Sequence, residues 1–187
     1  MLTNNRQTIR QILEQSLQRT VDHKLIPKFA SHSQHALNLL HRIVPKPLQD
    51  HFVLYQVNTL AKEFIEQGEL DFLTNKIVKF EITDLNACWF FTFDGQALKM
   101  LTHAGDHQVC FSANINALVL MASQKVDPDT LFFKRELQIT GDTELGLEIK
   151  NLIDLFDISQ LNGIVRYGLD KWSEALLAEV KHGQATA

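Results

Sequence analysis

The sequence predicts an α+β fold, a five-stranded, mostly antiparallel sheet packed by helices. Three observations carry that prediction. Between Ile77 and Ala113, four segments carry strand signals, the first with apolar residues alternating at period two. Before and after that stretch, apolar residues recur at helical spacing. A fifth strand pattern, Glu136 to Thr140, lies between two helical ones. Strands grouped together and helices grouped around them form a two-layer sandwich, not a βαβ alternation.

Residues 1–47 read as a helical arm or cap. Ile9, Ile12, Leu13 and Leu17 give an amphipathic helix from about Arg6 to Val21. Pro27 interrupts, and a shorter helical pattern from Gln34 to Ile43 is closed by Pro45 and Pro47. The main domain, 48–160, opens with a helix from Leu48 to Gln67. Phe52, Tyr55, Leu60, Phe64 and Ile65 make its apolar face, and Gly68 ends it. In the strand Ile77–Ile82, Val78, Phe80 and Ile82 share one side, with Lys79 and Glu81 on the other. Cys88–Phe93 has large apolar groups on both faces, which predicts cover on both. Asp94-Gly95 signals a hairpin. Ala97–Thr102 and Gln108–Ala113 follow, separated by a turn through Ala104-Gly105-Asp106, for an antiparallel meander of four strands.

Asn114 is placed to cap a helix reaching about Gln124. Leu131, Phe132 and Phe133 precede the fifth strand. Gly141-Asp142 then turns the chain into a helix from Thr143 to Phe156, striped by Leu145, Ile149, Leu152, Ile153 and Phe156. Residues 161–187 hold a last amphipathic helix, about Val165 to Lys181, with Leu169, Trp172, Leu176 and Val180 on its stripe. A frayed tail follows from His182.

Composition excludes several classes. The 187 residues carry 45% hydrophobic and 21% charged side chains, enough to bury a core without disulfides or a structural metal. Lys plus Arg is 18 against 22 for Asp plus Glu, a net charge of -4, so nucleic acid is not an expected partner. The start, Met1 to Arg10, has no apolar signal core. The longest apolar uncharged stretch, Val109 to Gln124, is too short and too interrupted to cross a membrane. The expectation is a soluble, cytoplasmic protein with reduced thiols. The amphipathic helices around Ile9 and Trp172 keep open a peripheral contact with the inner membrane or a partner.

No phosphate-binding glycine motif, nucleophile elbow or zinc-protease motif occurs. His32, His35 and His41 have no third ligand or carboxylate placed to complete a metal site, and His103 and His107 flank a turn. Cys88 and Cys110 lie in apolar strands without a neighbouring histidine and read as packing residues. Asp127 and Asp129 bracket Pro128, which turn chemistry explains, and Asp142 and Glu144 offset a helix dipole. The expectation is no catalytic residue, no metal and no cofactor.

The positive signal is an excess of apolar residues from Ile115 to Phe133. The helix Ile115–Ala122 has no polar face, so it is either buried all round or faces something greasy that is not its own core. An apolar cavity between sheet and helices would bind a lipid by excluding water. Periodicity names Trp89, Phe91, Leu118, Met121, Phe132 and Phe133 as its lining candidates.

The run from Asp127 to Leu152, with Leu131-Phe-Phe-Lys-Arg-Glu-Leu137 and Gly141-Asp-Thr-Glu-Leu-Gly-Leu-Glu-Ile-Lys-Asn-Leu152 at its heart, resembles the sterol carrier protein type 2 domain. The resemblance extends over about Leu48 to Asp157, including Gly68-Glu-Leu-Asp-Phe-Leu73. It implies a five-stranded sheet packed by helices on one side around a hydrophobic tunnel for lipid. Its bacterial quinone-synthesis subgroup implies a non-catalytic accessory factor for oxygen-independent ubiquinone synthesis. There the ligand is an isoprenoid quinone intermediate, and the partners are two peptidase-like iron–sulfur proteins that hydroxylate the ring. The motif residues implied are fold elements: Gly141 for the turn, Asp142 as the cap, Lys150 and Asn151 on the polar face of the helix. This chain lacks a cluster-type cysteine set and would not hold the iron itself.

Overall fold

The computed structural model describes residues 43–102 and 106–185. The expected helices at 6–21 and 34–43 lie outside the described residues, Ile43 excepted, as do His32, His35, His41 and His103. Helix α1, Lys46–Glu66, starts where Pro45 and Pro47 permit helical dihedrals but remove backbone donors, two residues before the expected Leu48. A single 3-10 turn, Asp71–Leu73, leads into the sheet. Its strands are β1 (Val78–Ile82), β2 (Ala87–Phe93), β3 (Leu98–Leu101), β4 (Val109–Ala113) and β5 (Leu137–Gly141). Three further helices are α2 (Ile115–Ala122), α3 (Pro128–Phe133) and α4 (Thr143–Asp154). After a second 3-10 turn, Ile158–Gln160, helix α5 spans Gly163–Ala185.

The strand order is β3-β2-β1-β4-β5. The expected four-strand meander is therefore corrected. β1, β2 and β3 do form a meander, but β4 crosses back to lie parallel to β1, with Val78 opposite Val109 and Phe80 opposite Phe111. The crossing is short because β3 is displaced toward the start of β1. Leu101 pairs with Phe90, and Phe90 with Lys79, which is one residue from the level of Val109. The gain is aromatic packing on one face: the Phe80 ring stacks on Phe111 at 5.1 Å and meets Phe91 edge-on at 5.7 Å.

The helices cover that face. Ala87, Trp89, Phe91 and Phe93 of β2 are buried, while Cys88, Phe90 and Thr92 on the other face are half-buried. The expected cover on both faces of β2 is thus full on one side and partial on the other, where the His107 ring lies 6.2 Å from Phe90. Cys110 faces this outer side, beside Lys79 and Thr140. Burial pushes its thiol pKa up.

Local chemistry sets the turns as expected. The Asn114 side chain accepts from Ala117 N at 2.8 Å and starts α2. Asp142 accepts from Leu145 N at 3.1 Å and starts α4. Gly141 has φ +98, and a Cβ there would stand 2.2 Å from the Gln108 carbonyl oxygen. Only glycine fits that close approach of β5 to β4.

Candidate functional site

An apolar cavity of about 440 Å³ lies between the inner sheet face and the helices. Its floor is Phe80, Trp89, Phe91, Phe111, Ala113 and Leu137, the inward positions of four strands. Val53, Val57 and Leu60 line it from α1, where spacings of four and three place them on one stripe. Leu118, Met121 and Ala122 come from α2, and Ile153 from α4. Phe156, Ile158 and Leu161 close the side beneath the second 3-10 turn.

This arrangement explains the helix without a polar face. Ala117 and Val119 of α2 are buried in the core, Leu118 and Met121 face the cavity, and α5 packs alongside. Apart from Asn116, whose side-chain oxygen is buried, the residues of α2 are apolar and meet the core, the cavity or α5.

Four of the six candidates, Trp89, Phe91, Leu118 and Met121, come together in the cavity wall. Phe132 and Phe133 do not. They end α3 and face outward, 39% and 81% exposed. Only Leu131 of that triplet turns in, because consecutive residues on a helix point about 100° apart and three cannot share one face. The helix itself has a legible start: Asp127 accepts from Thr130 N at 2.8 Å and from Thr130 Oγ1 at 2.7 Å, and Pro128 takes the first helical position. Those bonds hold the Asp127 carboxyl below its usual pKa.

Phe80, Phe111 and Val53, which the sequence reading left out, carry a readable signal. Phe80 and Phe111 share the inward parity of their strands with the buried residues beside them, and Val53 lies one turn from Val57 on α1. Lys150 had no such signal. It was expected on the polar face of α4 with Asn151. Asn151 is exposed, but Lys150 is only 9% exposed, lines the cavity and pairs with Asp129 of α3 at 2.5 Å. Gln124, Asp127 and Asp154 are further polar residues of the wall. Glu81 also borders the cavity but turns its carboxylate to Lys79 at 2.9 Å.

A different network holds the Trp89 part of the wall. The Trp89 indole N–H reaches Asp50, and Lys46 pairs with the same carboxylate while its ammonium sits 4.8 Å from the Trp89 ring. Among the described residues no group of three His, Cys, Asp or Glu is arranged to hold a metal. No described helix is long and apolar enough to cross a membrane.

The comparisons with known proteins agree with this fold. The chain belongs to the SCP-2 sterol transfer family, whose model matches residues 56–154. Its relatives include the ubiquinone biosynthesis accessory factor UbiT of Escherichia coli strain K12, 35% identical over 125 residues, or 67% of this chain and 71% of that protein. The UbiT of Escherichia coli O157:H7 matches to the same extent. Among solved structures, the UbiJ-SCP2 ubiquinone synthesis protein has a TM-score of 0.50 at 21% identity, covering 59% of this chain and 96% of that one, a likeness of fold.

Proposed function

We propose that this chain is a non-catalytic, lipid-binding accessory factor of ubiquinone biosynthesis, and that its cavity holds the prenyl tail of the pathway's intermediates. The observation that carries the reading is the cavity itself: about 440 Å³ walled by aliphatic and aromatic side chains, in a chain 35% identical to UbiT. A prenyl tail gains by leaving water at roughly 25 cal/mol per Å² of buried apolar area, so the site needs no charge to bind it. The ring, held at the mouth, stays accessible to other proteins.

The finer reading places the chain in the oxygen-independent branch. There peptidase-like iron–sulfur proteins would hydroxylate the ring that this protein presents. It would act in the cytoplasm and touch the inner membrane to exchange its ligand. The exposed Phe132 and Phe133, followed by exposed Lys134 and Arg135, supply an aromatic and basic surface for such contact. Organic extraction and mass spectrometry of the purified protein test the central claim. A co-purified prenylated quinone or phenol is expected. An empty protein that also ignores added ubiquinone would overturn it.

A further inference from the structure

The cavity wall is chemically uneven. Its floor and the α1 side are aliphatic and aromatic, and the polar side chains that face it come from the α2–α3 connection and α4. Within that polar group, two members are already engaged. The Gln124 amide donates to the Phe156 carbonyl at 2.9 Å, and the Asp127 carboxylate caps α3. Lys150 differs. It is the one buried charged residue among the described residues, and an ammonium has three N–H donors, of which the Asp129 bond uses one. Asp129 approaches from the solvent side, its side chain 60% exposed, whereas the Lys150 side chain is 11% exposed. A staple between two helices would need neither the burial of its cation nor a place in the cavity wall, since exposed pairs form without a desolvation cost.

From this placement we infer that Lys150 is the head-group reader of the site. Its ammonium donates a hydrogen bond to an oxygen on the ligand's ring, a phenol or quinone oxygen, and so orients the ligand with its head at the α3–α4 end and its tail toward Trp89 and Val53. The inference rests on the reading of the cavity as a lipid site and adds a direction and a specificity to it. Asp129 takes one of the three N–H donors from the solvent side and leaves the others for the ligand. The arrangement also sets which end of the ligand is offered outward: the end beside Asp127, Asp154 and Gln124, where the wall meets solvent.

The test uses two probes identical but for one oxygen, pentadecylphenol and pentadecylbenzene, titrated against the full chain by Trp89 fluorescence in a Trp172→Phe background. Wild type should bind the phenol about tenfold more tightly than the hydrocarbon, the size expected of one hydrogen bond to a charged group. Lys150→Met should bind both equally, at the hydrocarbon's affinity. Asp129→Asn, which leaves the ammonium in place, should keep the preference. A Lys150→Met protein that still prefers the phenol, or a wild type without preference, overturns the inference and leaves lipid binding standing. A wild type that binds neither probe sinks the lipid reading instead. Should Lys150→Met fail to fold by circular dichroism, a benzophenone-headed alkyl lipid photolysed on the wild-type protein decides the matter. Cross-links within 124–129 and 150–154 support the orientation, and cross-links confined to 53–60 or 89–91 reverse it.

Discussion

The Trp89 indole N–H donates to Asp50 Oδ1 at 2.8 Å and ties β2 to the N-terminal end of α1. One face of the same ring is cavity wall. Asp50→Ala should therefore cost about 1–2 kcal/mol, toward the lower end for a hydrogen bond to a partly exposed charged group. In a Trp172→Phe background it should also shift Trp89 emission to the red, while Asp50→Asn, which keeps an acceptor oxygen, should lose less. Urea denaturation and fluorescence check both. An unchanged midpoint and spectrum would mean the bond does not hold the ring in solution.

Leu118 and Met121 stand half-buried at the cavity, with empty space beside them. Leu118→Asp and Met121→Arg should abolish lipid uptake, because an ionised group there keeps water in the site and cannot pair with an apolar tail. Circular dichroism confirms the fold in each case. Undiminished uptake by a folded variant removes that residue from the binding surface.

Phe133 makes the opposite prediction. With most of its side chain in water, Phe133→Ser should change stability by no more than about 0.5 kcal/mol and leave uptake of a soluble-phase lipid unaltered. What it should reduce is co-flotation with vesicles containing anionic phospholipid. Equal flotation of wild type and variant would take the α3 tip out of any membrane contact.

At Gly141 the backbone dihedral and the adjacent Gln108 carbonyl both exclude a side chain. Gly141→Ala should destabilise by about 2–4 kcal/mol, combining a strained dihedral with displacement of a neighbouring strand. Gly95, also at positive φ but with nothing near its would-be Cβ, supplies the control: Gly95→Ala carries the dihedral strain alone. Equal losses at both positions would show that the contact with Gln108 relaxes freely.

Acid stability follows from three caps and turns. Hydrogen bonds from Ala97 and Gln96 lower the pKa of Asp94, those from Thr130 lower that of Asp127, and those from Ser159 lower that of Asp157. A carboxyl whose folded pKa lies below its unfolded value stabilises fully above the unfolded value, about pH 4, and loses that contribution as pH falls through the folded one. Stability should thus be flat from neutral pH to about 4.5 and decline below it. Asp127→Asn, which retains a capping oxygen without a titrating proton, should flatten part of the decline. Parallel pH–stability curves for wild type and variant would remove Asp127 from the effect.

Much of the fold was legible because it is written in local periodicity. The caps at Asn114 and Asp142, the turn at Gly141 and the inward parity of Trp89 and Phe91 depend on neighbours within a few residues, and the structure has each. Helix α3 was legible too, from Asp127-Pro128 and Thr130, but a turn explained the same residues; once α3 is a helix, Phe132 and Phe133 must leave the wall that Leu131 occupies. The partner of β4 was not legible. Alternation in Val109–Ala113 is the same whether its neighbour is β3 or β1.

The sequence by itself determined that this chain has more apolar surface around α2 than a two-layer core consumes, and which face of each strand carries it. Its covalent order and side-chain chemistry are enough for that, since period and parity are short-range properties. Only the tertiary structure decided that β4 returns beside β1, setting Phe111 against Phe80, and that a lysine of α4 lies against the cavity with an aspartate of α3 behind it. Both are contacts between residues far apart in the chain, and their free energy exists only when several layers are packed at once.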